Sequence, residues 1–131
     1  MGASLTNARV KAMIDAELAT ANHDHIAYSV NGTTEYSTAI LARTAISALG
    51  GWTTPTASSP YAPGNTSAGD SAGAGTISGS VTITHVATAN GTAGALSSDW
   101  MPTTDPDAIL ITGGKVSHAA GAIVPVSVSK P

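Results

Sequence analysis

The sequence predicts a mainly β domain: an antiparallel β-sandwich or jelly-roll-like fold with one N-terminal α-helix and a long Pro/Ser/Gly-rich loop or arm. Three observations carry this. Helical spacing is convincing only over residues 4–20, apolar residues alternate at period two in several later segments, and Asn-Gly and Gly-Gly pairs punctuate the chain. About six to eight short strands at such spacing fit one antiparallel domain, and 131 residues suit a single one.

The helix comes first. Val10, Met13, Ile14 and Leu18 follow one apolar stripe, and Ala8, Ala12, Ala16 and Ala19 favour helix elsewhere. Ser4 or Thr6 is placed to cap the first amides, and polar "TANHDH" ends the element. The stripe needs cover from a sheet of the same domain or from another subunit.

Residues 25–49 read as a hairpin and a strand. Ile26, Tyr28 and Val30 share one face, Asn31-Gly32 supplies a type I′ turn, and "TTEYST" returns as the partner strand. The segment "AILARTAISALGGW" mixes helix formers with β-branched Ile40, Thr44 and Ile46, and reads as strand ended by Gly50-Gly51.

Residues 53–75 hold Pro55, Pro60 and Pro63 among small polar residues, with hardly a bulky apolar side chain. So long an irregular segment in a small domain needs a reason, and an arm that orders along a partner supplies one. Residues 76–130 return to strands. Ile77, Val81 and Ile83 share a face, and Val86 breaks the parity, which predicts a bulge or a crossing near His85. "NGTAG" is a turn and "ALSSDWM" a short strand before a loop. "AILIT" reads as a strand buried on both faces, and Val124, Val126 and Val128 close the sheet with Pro125 at an edge or opposite a bulge.

Composition points to assembly. Ala, Thr, Ser and Gly make up 71 residues, whereas Leu, Ile, Val, Met, Trp and Tyr together number 31 and Phe is absent. At about 25 cal/mol per Å² of apolar burial, this is a lean core. A surface of small residues with few charges can lie against a partner without desolvating many ions. The net charge of -3 and five scattered basic residues give no cationic stripe, so nucleic acid is not an expected partner.

No cysteine is present, so disulfides and thiolate metal sites are excluded. The opening lacks the basic start and apolar run of a signal peptide, no stretch approaches a membrane span, and Met1-Gly2 matches only a loose myristoylation pattern. Without export, the sequons at Asn31, Asn65 and Asn90 are not expected to carry glycans.

Chemistry-bearing clusters are few. His23-Asp24-His25, with His85 and His118 elsewhere, resembles a metal-ligand set but also suits the polar end of a helix. Asp99, Asp105 and Asp107 around Trp100 could take calcium, yet Asp at turns before Pro is the simpler reading. A nucleophile elbow, a P-loop and a dinucleotide fingerprint are all missing, so no catalytic, cofactor or metal residue is assigned and no enzyme or small-molecule substrate is expected. Trp52 and Trp100 suit a core or an interface equally.

The order "LTNARVKAMIDAEL", "HIAYSVNGTTE", "ILARTAIS", "VTITHVATANGTAGAL" and "GGKVSHAAGAIVPVSVS" resembles small tailed-bacteriophage structural proteins of the tail-fibre-like or decoration type. The likeness spans most of the chain as strand and turn patterns, and residues 53–75 depart from the compact members. The resemblance implies a virion structural role and brings no catalytic residues. Within it, a capsid decoration (cement) protein on the capsid exterior is expected, made in the host cytoplasm, with the major capsid protein and copies of itself as partners, usually in a trimer. A tail- or head-fibre-associated protein is the runner-up. The expected contact residues are Met13 on the helix and Pro55, Pro60, Tyr61 and Pro63 in the arm. A carbohydrate-binding adhesin module, stacking sugars on Trp52, Trp100, Tyr28, Tyr36 or Tyr61, is the alternative of a different class.

Overall fold

The computed structural model describes residues 4–103 and 108–130. Among these residues the fold is mainly β, with three antiparallel sheets and one N-terminal α-helix. Helix α1 (Asn7–Leu18) covers the whole apolar stripe but is shorter at both ends than the expected 4–20. Thr6 adopts extended backbone and its side chain accepts from the Arg9 amide at 3.2 Å, so the helix starts there. A 3₁₀ turn at Ala21–His23 then delivers the chain to β1 (His25–Ser29).

The main sheet has four strands, ordered β2 (Thr44–Ala45), β1, β5 (His85–Ala89) and β6 (Met101–Pro102). The β1–β5 pair runs through its centre, from His25 opposite Ala89 to Ser29 opposite His85. Every residue of these two strands after the first is buried, so both faces of the pair are covered. Two smaller sheets pair β3 (Gly69–Asp70) with β8 (Ser117–His118), and β4 (Val81–Thr82) with β7 (Ile109–Leu110). The core gathers Ile26, Tyr28, Leu41, Leu49, Ile83, Leu110 and Val116, with Trp52 and Met101 packed at its margin. Within it the Tyr28 hydroxyl lies 2.6 Å from Thr44 Oγ1 and 2.7 Å from His118 Nε2, so this buried polar group is satisfied.

Several expectations need correction. Asn31-Gly32 is not a type I′ turn and residues 33–38 are not a strand. Only Gly32 has positive φ, and the Asn31 side-chain oxygen accepts from the amides of Thr33 and Thr34 at 2.9 and 3.0 Å. A side chain has replaced the backbone as the turn's acceptor. The Tyr36 amide still returns to the Tyr28 carbonyl at 2.7 Å, but β1 takes its strand partners from residues 44–45 and 85–89. Arg43 closes this loop through a bidentate ion pair with Glu35 and a bond to the Gly91 carbonyl at 3.0 Å.

Segment 39–52 contributes only the two residues of β2 and then a 3₁₀ turn over Ile46–Leu49, ended by Gly50 in the left-handed region. Near His85 the chain crosses between sheets, from β4, which pairs with β7, to β5 in the main sheet. Segment 108–112 is not buried on both faces: Ala108 and Leu110 point inward, whereas Ile109 and Ile111 are 61% and 58% exposed. Residues 121–130 form no strand and close no sheet; Val128 instead makes an isolated bridge to Tyr61, bonded in both directions at 2.8 and 3.0 Å.

The largest correction concerns residues 53–75. They pack on their own chain, running beside residues 113–128. Asn65 is fully buried: its side-chain Nδ2 donates to the carbonyls of Ser67 and Ala119, and its side-chain Oδ1 accepts from the Ile123 amide at 2.9 Å. Ser71 takes the Val116 amide in the same way at 2.8 Å. Small polar residues hold this segment through main-chain bonds, where bulky side chains are scarce.

Candidate functional site

Helix α1 and the start of the 53–75 segment meet in a polar clasp. The Tyr61 hydroxyl donates to one oxygen of the Asp15 carboxylate at 2.5 Å, and the Lys11 ammonium donates to the other at 2.7 Å. The Lys11 ammonium also lies 3.2 Å from the Tyr61 hydroxyl and 5.3 Å from the ring centroid. Burial alone would raise the Asp15 carboxyl, but the bonds from Lys11 and Tyr61 outweigh it and hold it below the ordinary range. Burial, and then the neighbouring carboxylate, push the Tyr61 phenol up. The clasp is therefore a fixed ion pair capped by a neutral phenol, a device that docks the helix.

Beside it a cleft of about 290 Å³ opens between α1 and the chain at Trp52, lined by Asp15, Leu18, Ala19, Ile46, Gly51, Trp52, Thr53 and Thr54. Its walls are largely apolar, and the Trp52 indole is held in place by donating to the His23 carbonyl at 3.1 Å. Such a space is at the small end for a ligand pocket and suits an apolar group of modest size.

The outer face of α1 is unusual for a surface helix. Ala8, Ala12 and Ala16 are exposed, Met13 is 60% exposed, and Leu5 just ahead of the helix is 52% exposed. A second apolar patch comes from Ile109 and Ile111, which point outward together from β7 and its extension.

The expected contact residues divide. Met13, Pro55 and Pro60 are exposed, as an interface requires. Tyr61 and Pro63 are fully buried in their own chain and have no surface to offer a partner. Of the aromatic rings considered for sugar stacking, Tyr28 and Tyr61 are buried, and Trp52, Trp100 and Tyr36 are partly so.

The histidine cluster is drawn apart. His23 is buried, with Nδ1 2.8 Å from Thr88 Oγ1 and Nε2 3.0 Å from Glu17 Oε1, whereas His25 Nδ1 lies 2.8 Å from Asp24 Oδ1. That bond, together with one from the Gly91 amide, holds the Asp24 carboxyl below its ordinary range. Among the described residues no group of three or more His, Cys, Asp or Glu could hold a metal ion. Asp105 and Asp107 lie outside the described residues, and Asp99 is exposed. Of the Asn65 sequon, Asn65 itself is fully buried, whereas Thr66 and Ser67 are exposed.

Sequence reasoning missed Ile109 and Ile111. The continuous apolar run within 108–112 reads as a strand buried on both faces, whereas only the face of Ala108 and Leu110 is buried. No protein-family model matches the chain, and no curated protein or solved structure matches it.

Proposed function

We propose that this chain is a non-enzymatic virion structural protein, a capsid decoration (cement) subunit that binds the outer capsid lattice and stabilises the head. One observation carries the assembly part of this reading. A chain with only 31 bulky apolar and aromatic residues leaves Leu5, Met13, Ile109 and Ile111 more than half exposed. A lean core would gain from drawing these side chains inward, so their place outside suits surfaces that another subunit covers. The virion part rests on the resemblance of the strand and turn order to tailed-phage structural proteins. Burial of Tyr28 and Tyr61 disfavours the adhesin alternative, which needs open aromatic platforms.

The partners in this proposal are the major capsid protein and further copies of this chain, grouped as trimers on the lattice. The test is co-sedimentation of purified protein with shells of the matching capsid protein, with tail tubes and a glycan array in parallel. Binding to expanded shells alone is the expected result. Retention by tails or by glycans, with none on shells, replaces the cement reading with the fibre or the adhesin one.

A further inference from the structure

Arg9, Met13 and Glu17 are spaced by four residues and form one ridge along α1, with Leu5 continuing the spacing just before the helix starts. All are exposed. Ala8, Ala12 and Ala16 form the neighbouring row, and their short side chains leave a shallow groove beside it. A ridge of one helix fits the groove of another in the commonest class of helix packing.

The charges on this ridge are arranged symmetrically. Arg9 lies one turn before Met13 and Glu17 one turn after it, about 12 Å apart along the axis at 1.5 Å per residue. The other two charged residues of α1, Lys11 and Asp15, are engaged with each other and with Tyr61. The Arg9 guanidinium makes no bond to any described side chain. Glu17 is half exposed, and the bond between its Oε1 and buried His23 fixes the carboxylate with Oε2 left for a second donor.

We infer that α1 is a self-association face: two copies of this chain pair their helices antiparallel about a two-fold axis at Met13, with Arg9 of each copy against Glu17 of the other. Only the antiparallel arrangement brings opposite charges together at both ends. A parallel pair would set Arg9 against Arg9 and Glu17 against Glu17. The exposed Met13 side chains meet at the centre, where a flexible thioether adapts to its own image. A 12-residue helix spans about 18 Å, so the contact is smaller than a standard interface of roughly 800 Å² per partner. It is therefore a weak link that many copies on a shell would reinforce. The inference rests on the assembly reading but does not need the capsid.

The test uses the full chain alone. The chain has no native cysteine, so Met13→Cys introduces a single thiol that would sit on the axis. Mild oxidation should give disulfide-linked dimers at least ~10-fold faster than Ala120→Cys, an exposed control away from α1. Sedimentation equilibrium should show reversible self-association of wild type that weakens with salt. Arg9→Glu, which removes no contact within its own fold, should weaken it by roughly 10-fold or more by setting like charges together twice. Glu17→Gln keeps an acceptor for His23 and should weaken it less. Equal oxidation rates for the two cysteine variants would overturn the inference, as would an Arg9→Glu protein that associates like wild type. Dimers that form as expected without binding shells would leave this inference standing and remove the capsid reading instead.

Discussion

Tyr61 and Asp15 stand 46 positions apart in the chain, and the phenol hydroxyl of one donates to the carboxylate of the other at 2.5 Å. This bond fastens α1 to a segment that is otherwise rich in small residues. Removing the hydroxyl while keeping the ring isolates its contribution. Tyr61→Phe should lower the unfolding free energy by ~1.5–3 kcal/mol, the range for a hydrogen bond to a charged group. Urea denaturation at neutral pH measures it, and helix content should be unchanged.

The same clasp makes stability depend on pH. The Asp15 carboxyl titrates lower in the folded chain than the ~3.9 of a free aspartate, and so does that of Asp24, held by His25 and Gly91. A depressed carboxyl contributes stability that is fully present above the unfolded value and disappears as pH falls through the folded one. The urea midpoint should therefore hold steady down to about pH 5 and drop steeply below about pH 4. Asp15→Asn should flatten that drop, since its side chain no longer titrates.

Residues 53–75 should prove inseparable from the domain. Deleting residues 55–73 removes Tyr61, Asn65 and Ser71 together, and with them the bonds that satisfy Val116 and Ile123. The expected outcome is loss of the cooperative thermal transition, and not a folded remnant. Asn65→Ala is the gentler version. It strands the buried Ile123 amide and the Ala119 carbonyl and should cost roughly 2–4 kcal/mol. A deletion variant that melts like the full chain would show that the segment is an appendage.

These cases show what the sequence could and could not reveal. Helix α1 was legible because Val10, Ile14 and Leu18 repeat with the helical period, and Val10 and Leu18 are indeed buried. The mainly β class was legible from alternation. The hairpin was not, because Asn31 satisfies the amides of Thr33 and Thr34 with its side chain, and local polar bonds leave no mark on apolar periodicity. The 53–75 segment was misread for the same reason. Its order comes from Asn65, Ser71 and backbone pairing with residues 113–128, which composition reads as loop. Ile109 and Ile111 were hidden by the reverse effect: apolar residues signal burial, and here they face outward.

The β7 patch separates folding from attachment. Ile109 and Ile111 are more than half exposed, so replacing both with Thr removes apolar surface that contributes little to the isolated fold. Threonine keeps the β-branched shape that a strand favours, so β7 should still pair with β4 through Leu110 and Val81. The melting temperature of the double variant should stay within about 2 °C of wild type, as expected of surface changes worth under ~0.5 kcal/mol. Shell binding should fall at least ~10-fold if the patch is covered on docking, because two large apolar side chains would lose their burial. Leu110→Ala provides the contrast. That side chain is fully buried in the core, and truncating it should cost ~2–5 kcal/mol whether or not a partner is present. Unchanged shell binding by the Thr variant would place the attachment surface elsewhere.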